Sequence, residues 1–352
     1  MPELPEVERA KELVKRLAKG KTIARVDTSE DSIVFAGIPH TEFAKELQGR
    51  KVKDVARYGK VFYLVLDGPG RMPILHFGMT GMIQVKGERP VHYREAPRKI
   101  SDDWPPKFMK FVLHIRGDDT SDEDIVQLAF MDARRLGRIR LCQDPLTEPP
   151  ISTLGFDPIL SMPSLDDFRS SVLKRTCPIK ALLLDQSFSA GVGNWVADEI
   201  LYHSRIHPER RCNTLQPGEV AALHQQTQDI CNTAVAVNAD DSKFPENWLF
   251  KHRWGKGKKQ KSTLKLPNGE PATLKWVTVS GRTSAFVAEL QRLSSTSTET
   301  LATEDSDSDL TPLEDEDAPA VVVTTRAKRT RDKVDTEITE KLKKRRMVTK
   351  KR

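Results

Sequence analysis

The chain has 352 residues, of which 38% are hydrophobic and 30% are charged. No apolar run approaches the roughly eighteen residues that span a membrane, and the acidic start lacks the apolar stretch of a secretory signal. The 4 cysteines contain no CxxC pair, which argues against a zinc knuckle or a thiol redox motif and predicts reduced thiols. We therefore expect a cytosolic or nuclear protein of two domains.

The net charge of +7 lies outside the carboxyl-terminal segment. Residues 296–352 hold 13 basic and 13 acidic side chains, so residues 1–295 hold 44 Lys and Arg against 37 Asp and Glu. A basic globular part is typical of proteins that bind an anionic partner, most often nucleic acid. The alternative is a basic solvated surface, which has the same composition.

The first third of the chain predicts one helix and then a sheet structure. Apolar residues recur at the helical period from Val7 to Leu17, and Gly20 can end a helix over residues 5–19. Short β-branched segments separated by Gly, Pro or Asp turns follow: KTIARVD, KVKDVAR, VFYLVLD, MPILHFG, GMIQVK, KFVLHIR, DIVQLAFMD and GRIRLC. They predict an antiparallel β-sandwich of about eight strands. We place this sandwich domain at residues 1–142.

The pattern becomes helical after a proline-rich hinge at residues 143–163. Four helices are expected in a domain at residues 164–240: LDDFRSSVLKR capped by Ser164, PIKALLLDQ, WVADEILYHSR opened by Asn194, and PGEVAALHQQTQDICNTAVAVN. The turn SFSAGVGN joins the second of these helices to the third. The whole chain is therefore assigned to the α+β class.

A basic region is expected at residues 241–293. Its segment 251–282 holds nine Lys or Arg and one acid. The Asn-Gly pair in LPNGEP predicts a hairpin turn between short strands. Farther on, WVTVSGRTSAFV predicts a second hairpin with Arg282 close to its tip.

The tail at residues 294–352 has too few apolar residues to offset chain entropy, so it is predicted to be disordered. Its first half is acidic and its second half is basic. The run KLKKRR predicts a nuclear localisation signal or a second contact with a polyanion. The alternative is a plain solubilising tail. The acidic half is also a candidate to fold back on the basic surface and compete with an anionic ligand.

The amino terminus, MPELPE, is the first candidate site. A small residue such as Pro2 normally permits removal of Met1, which leaves a free α-amine with a pKa of about 7.7–8.0, against about 10.4 for lysine. This amine can attack a carbon atom at neutral pH. Its adduct with a sugar C1′ is an iminium cation that favours elimination, while Glu3 can deliver a proton. The alternative is an ordinary helix start, with Pro5 in the first turn and acids such as Glu6 favoured by the helix dipole.

Three further patterns are candidate sites, the first of them, Lys60, only if its turn faces the amino terminus. Lys60 follows Tyr58 and Gly59 in a tight turn between two strands. The GVGN sequence leaves backbone amides unshielded at the start of a helix, which suits a phosphate, although Asn194 is also a common helix cap. The Arg282 guanidinium suits a phosphate as well, the alternative being a solvated turn.

Taken together, these patterns make the chain resemble the formamidopyrimidine-DNA glycosylase family, which are bifunctional glycosylase/lyases for oxidised purines. The resemblance spans roughly residues 1–293 and rests on these motifs: MPELPE, YGKVFYL, HFGMTG, DARRLGR, LGFDPIL, the GVGN helix-two-turn-helix and GRTSAFV. The carboxyl-terminal part resembles the plant and fungal branch, in which a zincless finger replaces a four-cysteine zinc ribbon. This implies base-excision repair without a metal or a diffusible cofactor, on double-stranded DNA that contains damaged bases or abasic sites.

The resemblance implies catalytic roles for residues of the first domain. Pro2 would be the nucleophile at C1′ of the damaged nucleotide, followed by β,δ-elimination. Glu3 would be the general acid and Glu6 would support the site. Lys60 would bind the phosphate beside the lesion and assist the chemistry.

The resemblance also implies DNA contacts. Asn194 and Arg282 would grip the phosphates that flank the flipped nucleotide. Met79, Arg134 and Leu136 match the side chains that fill the void left by the extruded base. The family usually has Phe where Leu136 stands. Leucine can wedge but cannot stack as an aromatic ring does, so opposite-base discrimination is expected to differ.

Two alternatives stay open at this point. One is the endonuclease VIII-like variant of the fold, with a preference for oxidised pyrimidines. The other is a non-catalytic binder of damaged DNA whose tail recruits repair or nuclear-import proteins. The intact Pro2-Glu3 pair and Lys60 argue against a pure binder, which has no need of them. We expect a monomeric nuclear enzyme.

Overall fold

The computed structural model describes residues 2–88, 103–117, 125–256 and 263–293, so the predicted tail lies outside the described residues. Its helices and strands follow in chain order: α1 (Leu4–Ala18), β1 (Thr22–Thr28), α2 (His40–Leu47), β2 (Val52–Tyr58), β3 (Val61–Leu66), β4 (Met72–His76), β5 (Met82–Val85), β6 (Met109–Arg116), β7 (Val126–Met131), β8 (Arg138–Cys142), α3 (Leu165–Leu173), α4 (Ile179–Leu184), α5 (Asn194–Ser204), α6 (Pro217–Ala236), β9 (Leu274–Val279) and β10 (Arg282–Val287).

The first eight strands form two four-stranded antiparallel sheets, in the orders β1-β6-β7-β5 and β2-β3-β4-β8. Each predicted strand is present within about two residues of the segment that predicted it. Between the sheets lies a core that includes a chain of aromatic rings: Phe43, Phe62, Phe77, Phe111 and Phe130. The prediction of an antiparallel sandwich is therefore confirmed.

Two helices lie against this sandwich. Helix α1 begins one residue before the predicted start and is followed by Gly20, whose φ of +78° is a conformation that favours glycine. Helix α2 was not predicted. It has only eight residues, and only Phe43 and Leu47 among them are buried, so its sequence carries little periodic signal.

The helical part has its own core. Ser164 caps α3 by accepting a hydrogen bond from the Asp167 N–H at 3.2 Å, as expected. Buried apolar residues of α3, α4, α5 and α6 pack in one cluster around Trp195 and Ile200. The two-domain α+β class is thus confirmed, while the domain limits given above stay predictions.

The region after α6 ends in the hairpin β9–β10. Its two-residue turn, Ser280-Gly281, has φ angles of +45° and +70°, which matches the right-handed twist of the strands. The LPNGEP segment does turn at Gly269, where φ is +86°. The short strands expected around it are wrong, however, because the pairing there is an isolated bridge between Lys265 and Pro271.

Other findings concern the described part of the chain as a whole. None of its helices combines the length and apolar character needed to cross a membrane. All 4 cysteines are free and buried. No group of three or more His, Cys, Asp or Glu side chains in residues 2–88, 103–117, 125–256 and 263–293 could hold a metal ion.

Candidate active site

The fold brings the amino terminus to the start of α5. Pro2 is buried and Glu3 is 2% exposed. The Glu3 carboxylate accepts hydrogen bonds from the backbone N–H of Trp195 at 2.9 Å and of Val196 at 3.0 Å. These N–H groups have no partner inside the helix, and the helix dipole there favours a negative charge. A carboxylate from the first domain thus caps a helix of the second.

Asn194 does not take the capping role that was left open for it. Its side-chain amide instead donates to the Thr283 carbonyl oxygen at 3.1 Å, which ties α5 to β10. The oxygen of the same side-chain amide, Oδ1, is buried and has no hydrogen-bond partner among the described residues. This orphaned acceptor makes Asn194 a polar group that a ligand or water must satisfy.

Two close approaches explain how the terminus reaches α5. Leu4 packs in the core of the helical domain, and its N–H donates to the Gly191 carbonyl oxygen at 3.1 Å. A Cβ on Gly191 would lie 2.8 Å from Leu4, and a Cβ on Gly193 would lie 2.3 Å from the Glu3 Cδ. The glycines of GVGN therefore leave room for MPEL as well as exposing backbone amides.

Glu6 contacts both the amino-terminal segment and helix α5. It accepts from the Glu3 N–H at 2.9 Å and from the Trp195 indole N–H at 3.2 Å. Burial, and then the negative charge of Glu3, raise the pKa of Glu6 to about 7. Glu6 also lines a small pocket together with Pro2. The raised pKa favours the protonated form of this carboxyl group, which lies in hydrogen-bond contact with the backbone of Glu3.

Lys60 reaches the same place from the β2–β3 turn. Gly59 has a φ of +57°, and a Cβ there would lie 3.0 Å from Ala190. The Lys60 ammonium donates to the Val192 carbonyl oxygen at 3.0 Å. Burial lowers its pKa to about 8, opposed by the attraction of Glu3 and assisted by repulsion from Arg282. Arg282 itself is exposed at the start of β10.

A buried ion pair fixes the turn that carries Lys60. Asp157, in the hinge, is 0% exposed and accepts from the Gly59 N–H at 2.8 Å. It also pairs with the Arg57 guanidinium, which in turn donates to Glu8 of α1 at 2.6 Å. The hinge is therefore joined to the turn that carries Lys60 by the Arg57–Asp157 pair, which is buried from water.

His76 is a residue of this site that was not singled out in the sequence. Burial, and then the positive charges of Lys60 and the nearby Arg138 and Arg140, lower its pKa to about 4. Its Nδ1 accepts from the Gly78 N–H at 3.2 Å, so the proton of the neutral ring lies on Nε2. The signal was present in HFGMTG, where a histidine ends β4, the strand that pairs with β3 immediately after Lys60.

The three predicted void-filling residues lie on two loops that touch. A Cβ on Gly78, next to Met79, would lie 2.2 Å from the Leu136 carbonyl oxygen. Asp132 joins the loops, because its carboxylate accepts from the Thr80 hydroxyl at 2.7 Å and from the Arg134 N–H at 3.1 Å. Arg134 is exposed, whereas Met79 and Leu136 are half-buried. The structure thus brings the three together, on the sandwich side of the site.

Comparisons with known proteins agree with this architecture. The model of the formamidopyrimidine-DNA glycosylase N-terminal domain matches residues 1–139, and that of the formamidopyrimidine-DNA glycosylase H2TH domain matches residues 154–246. The Arabidopsis thaliana formamidopyrimidine-DNA glycosylase is 38% identical over 83% of this chain and 71% of its own length. The Heliobacterium modesticaldum enzyme of the same name is 35% identical over 67% of this chain and 79% of its own length.

Solved structures show the same fold. The Lactococcus lactis formamidopyrimidine-DNA glycosylase, bound non-covalently to DNA with an AP site, aligns with a TM-score of 0.64 at 23% identity. MutM in complex with DNA that contains carbocyclic 8-oxo-G aligns with a TM-score of 0.65 at 23% identity. Each alignment covers 83% of this chain and 100% of the solved chain. The chain belongs to the formamidopyrimidine-DNA glycosylase family, in its plant-like branch, and is a DNA-binding glycosylase of base-excision repair.

Proposed function

We propose that the chain removes oxidised purines, such as 8-oxoguanine and formamidopyrimidines, from double-stranded DNA and then cleaves the strand at the resulting abasic site. The observation that carries this proposal is the junction of Pro2 and Glu3 with the start of α5, beside Lys60. Relatives with solved structures are bound to abasic or 8-oxo-G-like DNA, which supports the same substrate class.

The first step follows from the chemistry of the terminus. Once Met1 is removed, the lone pair of the Pro2 amine forms a bond to C1′ of the flipped nucleotide. The glycosidic bond breaks and its electron pair leaves with the damaged base, which takes up a proton. Glu3 lies next to the amine, and Glu6, with a pKa of about 7, supplies a proton-bearing carboxyl group to the same network.

The later steps use the cation that forms on Pro2. The Pro2 nitrogen loses its proton, and its lone pair then breaks the C1′–O4′ bond while O4′ takes up a proton. In the opened sugar the nitrogen and C1′ share a double bond and a positive charge, which acidifies the hydrogens on C2′. Loss of such a proton expels the 3′-phosphate, and a second elimination expels the 5′-phosphate. Lys60, Arg282 and the Nε2–H of His76 offer donors for phosphate oxygens around this position.

Covalent trapping with borohydride tests the proposal. Reduction of the iminium should link the protein to a duplex that carries 8-oxoguanine. Pro2→Gly, or a variant that retains Met1, should leave no more than a trace of the product. A non-catalytic binder would retain the duplex without any covalent product. Trapping at the wild-type level by both variants would show that Pro2 is not the nucleophile. A matched duplex with an oxidised pyrimidine should be trapped more slowly, and the reverse order would favour the endonuclease VIII-like alternative.

The titration of Lys60 gives a pH dependence of DNA binding. Its pKa of about 8 means that the ammonium charge is present below pH 8 and is lost above it in the free protein. Affinity for a duplex with an uncleavable abasic analogue should therefore fall as the pH rises from 7 to 9.5. The Pro2 amine titrates in the same range, so Lys60→Arg is the matched variant, because arginine keeps its charge. Parallel pH profiles for the two proteins would contradict the role of Lys60.

We also propose that the enzyme acts as a monomer in the nucleus. The nuclear location is supported by the sequence alone, through the run KLKKRR and the basic second half of the tail. Removal of residues 296–352 should reduce nuclear uptake of a fluorescent fusion while strand cleavage in vitro is retained. Unchanged uptake would show that this tail is not the nuclear localisation signal.

A further inference from the structure

The position of the β9–β10 hairpin needs an explanation, because residues 263–293 contain no cysteine to bind a metal. Arg282 lies at the start of β10 and is exposed, yet it is close enough to Lys60 for its positive charge to help lower the pKa of that lysine. A two-stranded hairpin is only marginally stable by itself in water. Contacts with the helical domain must therefore hold it in place.

The outer edge of β10 supplies these contacts. In an antiparallel hairpin alternate residues turn their backbone groups away from the partner strand, and Thr283, Ala285 and Val287 are such a set. The Thr283 carbonyl oxygen accepts from the Asn194 amide at 3.1 Å, and the Ala285 N–H donates to Asp198 at 3.2 Å. Side chains of α5 thus occupy the place of a third strand.

The last of these three groups has a separate anchor after the hairpin. The Val287 N–H donates to the side-chain oxygen of Gln291 at 2.8 Å. The Gln291 amide nitrogen then donates to the Ile206 carbonyl oxygen, also at 2.8 Å. Gln291 is 1% exposed, so both bonds are shielded from water.

Asp198 is the centre of the edge contacts. It is 0% exposed, and its Oδ2 accepts from the Arg253 guanidinium at 2.6 Å (Nη2) and 3.1 Å (Nε), as well as from Ala285. Its Oδ1 pairs with Lys180, which is also fully buried. A buried carboxylate with this many donors is strongly oriented, and removal of one partner leaves an uncompensated charge.

Arg253 extends the same network to β9. Its carbonyl oxygen accepts from the Trp276 indole N–H at 3.0 Å, and its guanidinium lies over the Trp254 ring at 4.5 Å. The guanidinium also approaches the Asn194 carbonyl oxygen at 3.4 Å. Arg253 therefore touches β9 and α5, and through Asp198 it is joined to β10.

We propose that Asp198 and Arg253 form a metal-free clasp that fixes the hairpin on α5 and thereby places Arg282 at the DNA phosphate. They are positioning residues, since neither is exposed to the ligand itself. This inference rests on the proposed phosphate contact of Arg282. Residues 263–293 contain no cysteine, and the contacts that hold the hairpin are an ion pair and hydrogen bonds to its outer edge.

A double-mutant cycle with Arg282→Ala tests the clasp. Arg253→Lys keeps the charge but loses the two-pronged contact with Asp198. We expect it to raise the Kd for abasic-analogue duplex about tenfold when Arg282 is present, and less than about twofold in the Arg282→Ala background. The slope of log Kd against log salt concentration should decrease by the equivalent of about one phosphate contact in either single variant. Arg25→Lys, in an exposed pair with Asp27, is the matched control and should change neither quantity.

The outcomes separate the clasp from the proposed function. No change in Kd for Arg253→Lys, or an equal loss in both backgrounds, would overturn the clasp. Amide hydrogen exchange in the free protein provides a readout without DNA: Arg253→Lys, and equally Asp198→Asn, should speed exchange at Ala285 relative to amides of the α6 core. Unchanged exchange at Ala285 would also overturn it. If Arg282→Ala alone leaves Kd unchanged, the phosphate contact fails, and the exchange data still decide whether the clasp holds the hairpin.

Discussion

Replacement of Gly193 by alanine is expected to lower the rate of lesion excision by about 100-fold or more, because it displaces the carboxylate of Glu3. The added Cβ would lie 2.3 Å from Glu3 Cδ and 2.6 Å from its Oε1, which is too close for real atoms. Gly193 has a φ of −121°, so alanine meets no backbone strain there. The loss is therefore steric and local to the terminus. Single-turnover cleavage of a duplex with 8-oxoguanine measures it.

Gly218→Ala is the matched control for this prediction. Gly218 lies in the first turn of α6, and a Cβ there would meet no atom within 4 Å. Alanine should stabilise that helix by up to about 1 kcal/mol and leave excision unchanged. A Gly193→Ala enzyme that excises at the wild-type rate would mean that the Glu3 contact with α5 is dispensable for the chemistry.

Replacement of Asp157 by alanine is expected to lower the free energy of unfolding by about 3 kcal/mol. Arg57 is 4% exposed, so the variant leaves a buried guanidinium with Glu8 as its remaining carboxylate partner. The Gly59 N–H loses its acceptor at the same time, which loosens the turn of Lys60. Denaturant unfolding measures the first effect, and DNA affinity measures the second.

An exposed ion pair provides the comparison for Asp157. Asp166 is 87% exposed and lies 3.3 Å from Arg169, so Asp166→Ala should change the free energy of unfolding by no more than about 1 kcal/mol. Similar losses in the two variants would mean that the Arg57–Asp157 pair is no stronger than a surface pair. An Asp157→Ala enzyme that is destabilised but binds DNA normally would separate folding from the positioning of Lys60.

Much of the fold followed from local patterns in the chain. The eight strands of the sandwich are short, β-branched segments between Gly, Pro or Asp turns, and helices α1, α3 and α6 have apolar periodicity with recognisable caps. Helix α2 was not predicted because it buries only two side chains. The strands expected around LPNGEP failed because an Asn-Gly pair predicts the turn itself, whereas strand pairing depends on neighbours outside the turn.

The sequence by itself determined the sandwich, the helical domain and the residue types of the site, since periodicity, caps and turns act over a few residues. Only the tertiary structure decided which of these groups meet. Leu4 enters the core of the other domain, Glu3 caps α5 where Asn194 was a candidate, and Asp157 holds the turn of Lys60. Such contacts join residues that are about 100 to 190 positions apart. They depend on burial and on the satisfaction of hydrogen bonds, which no local pattern encodes.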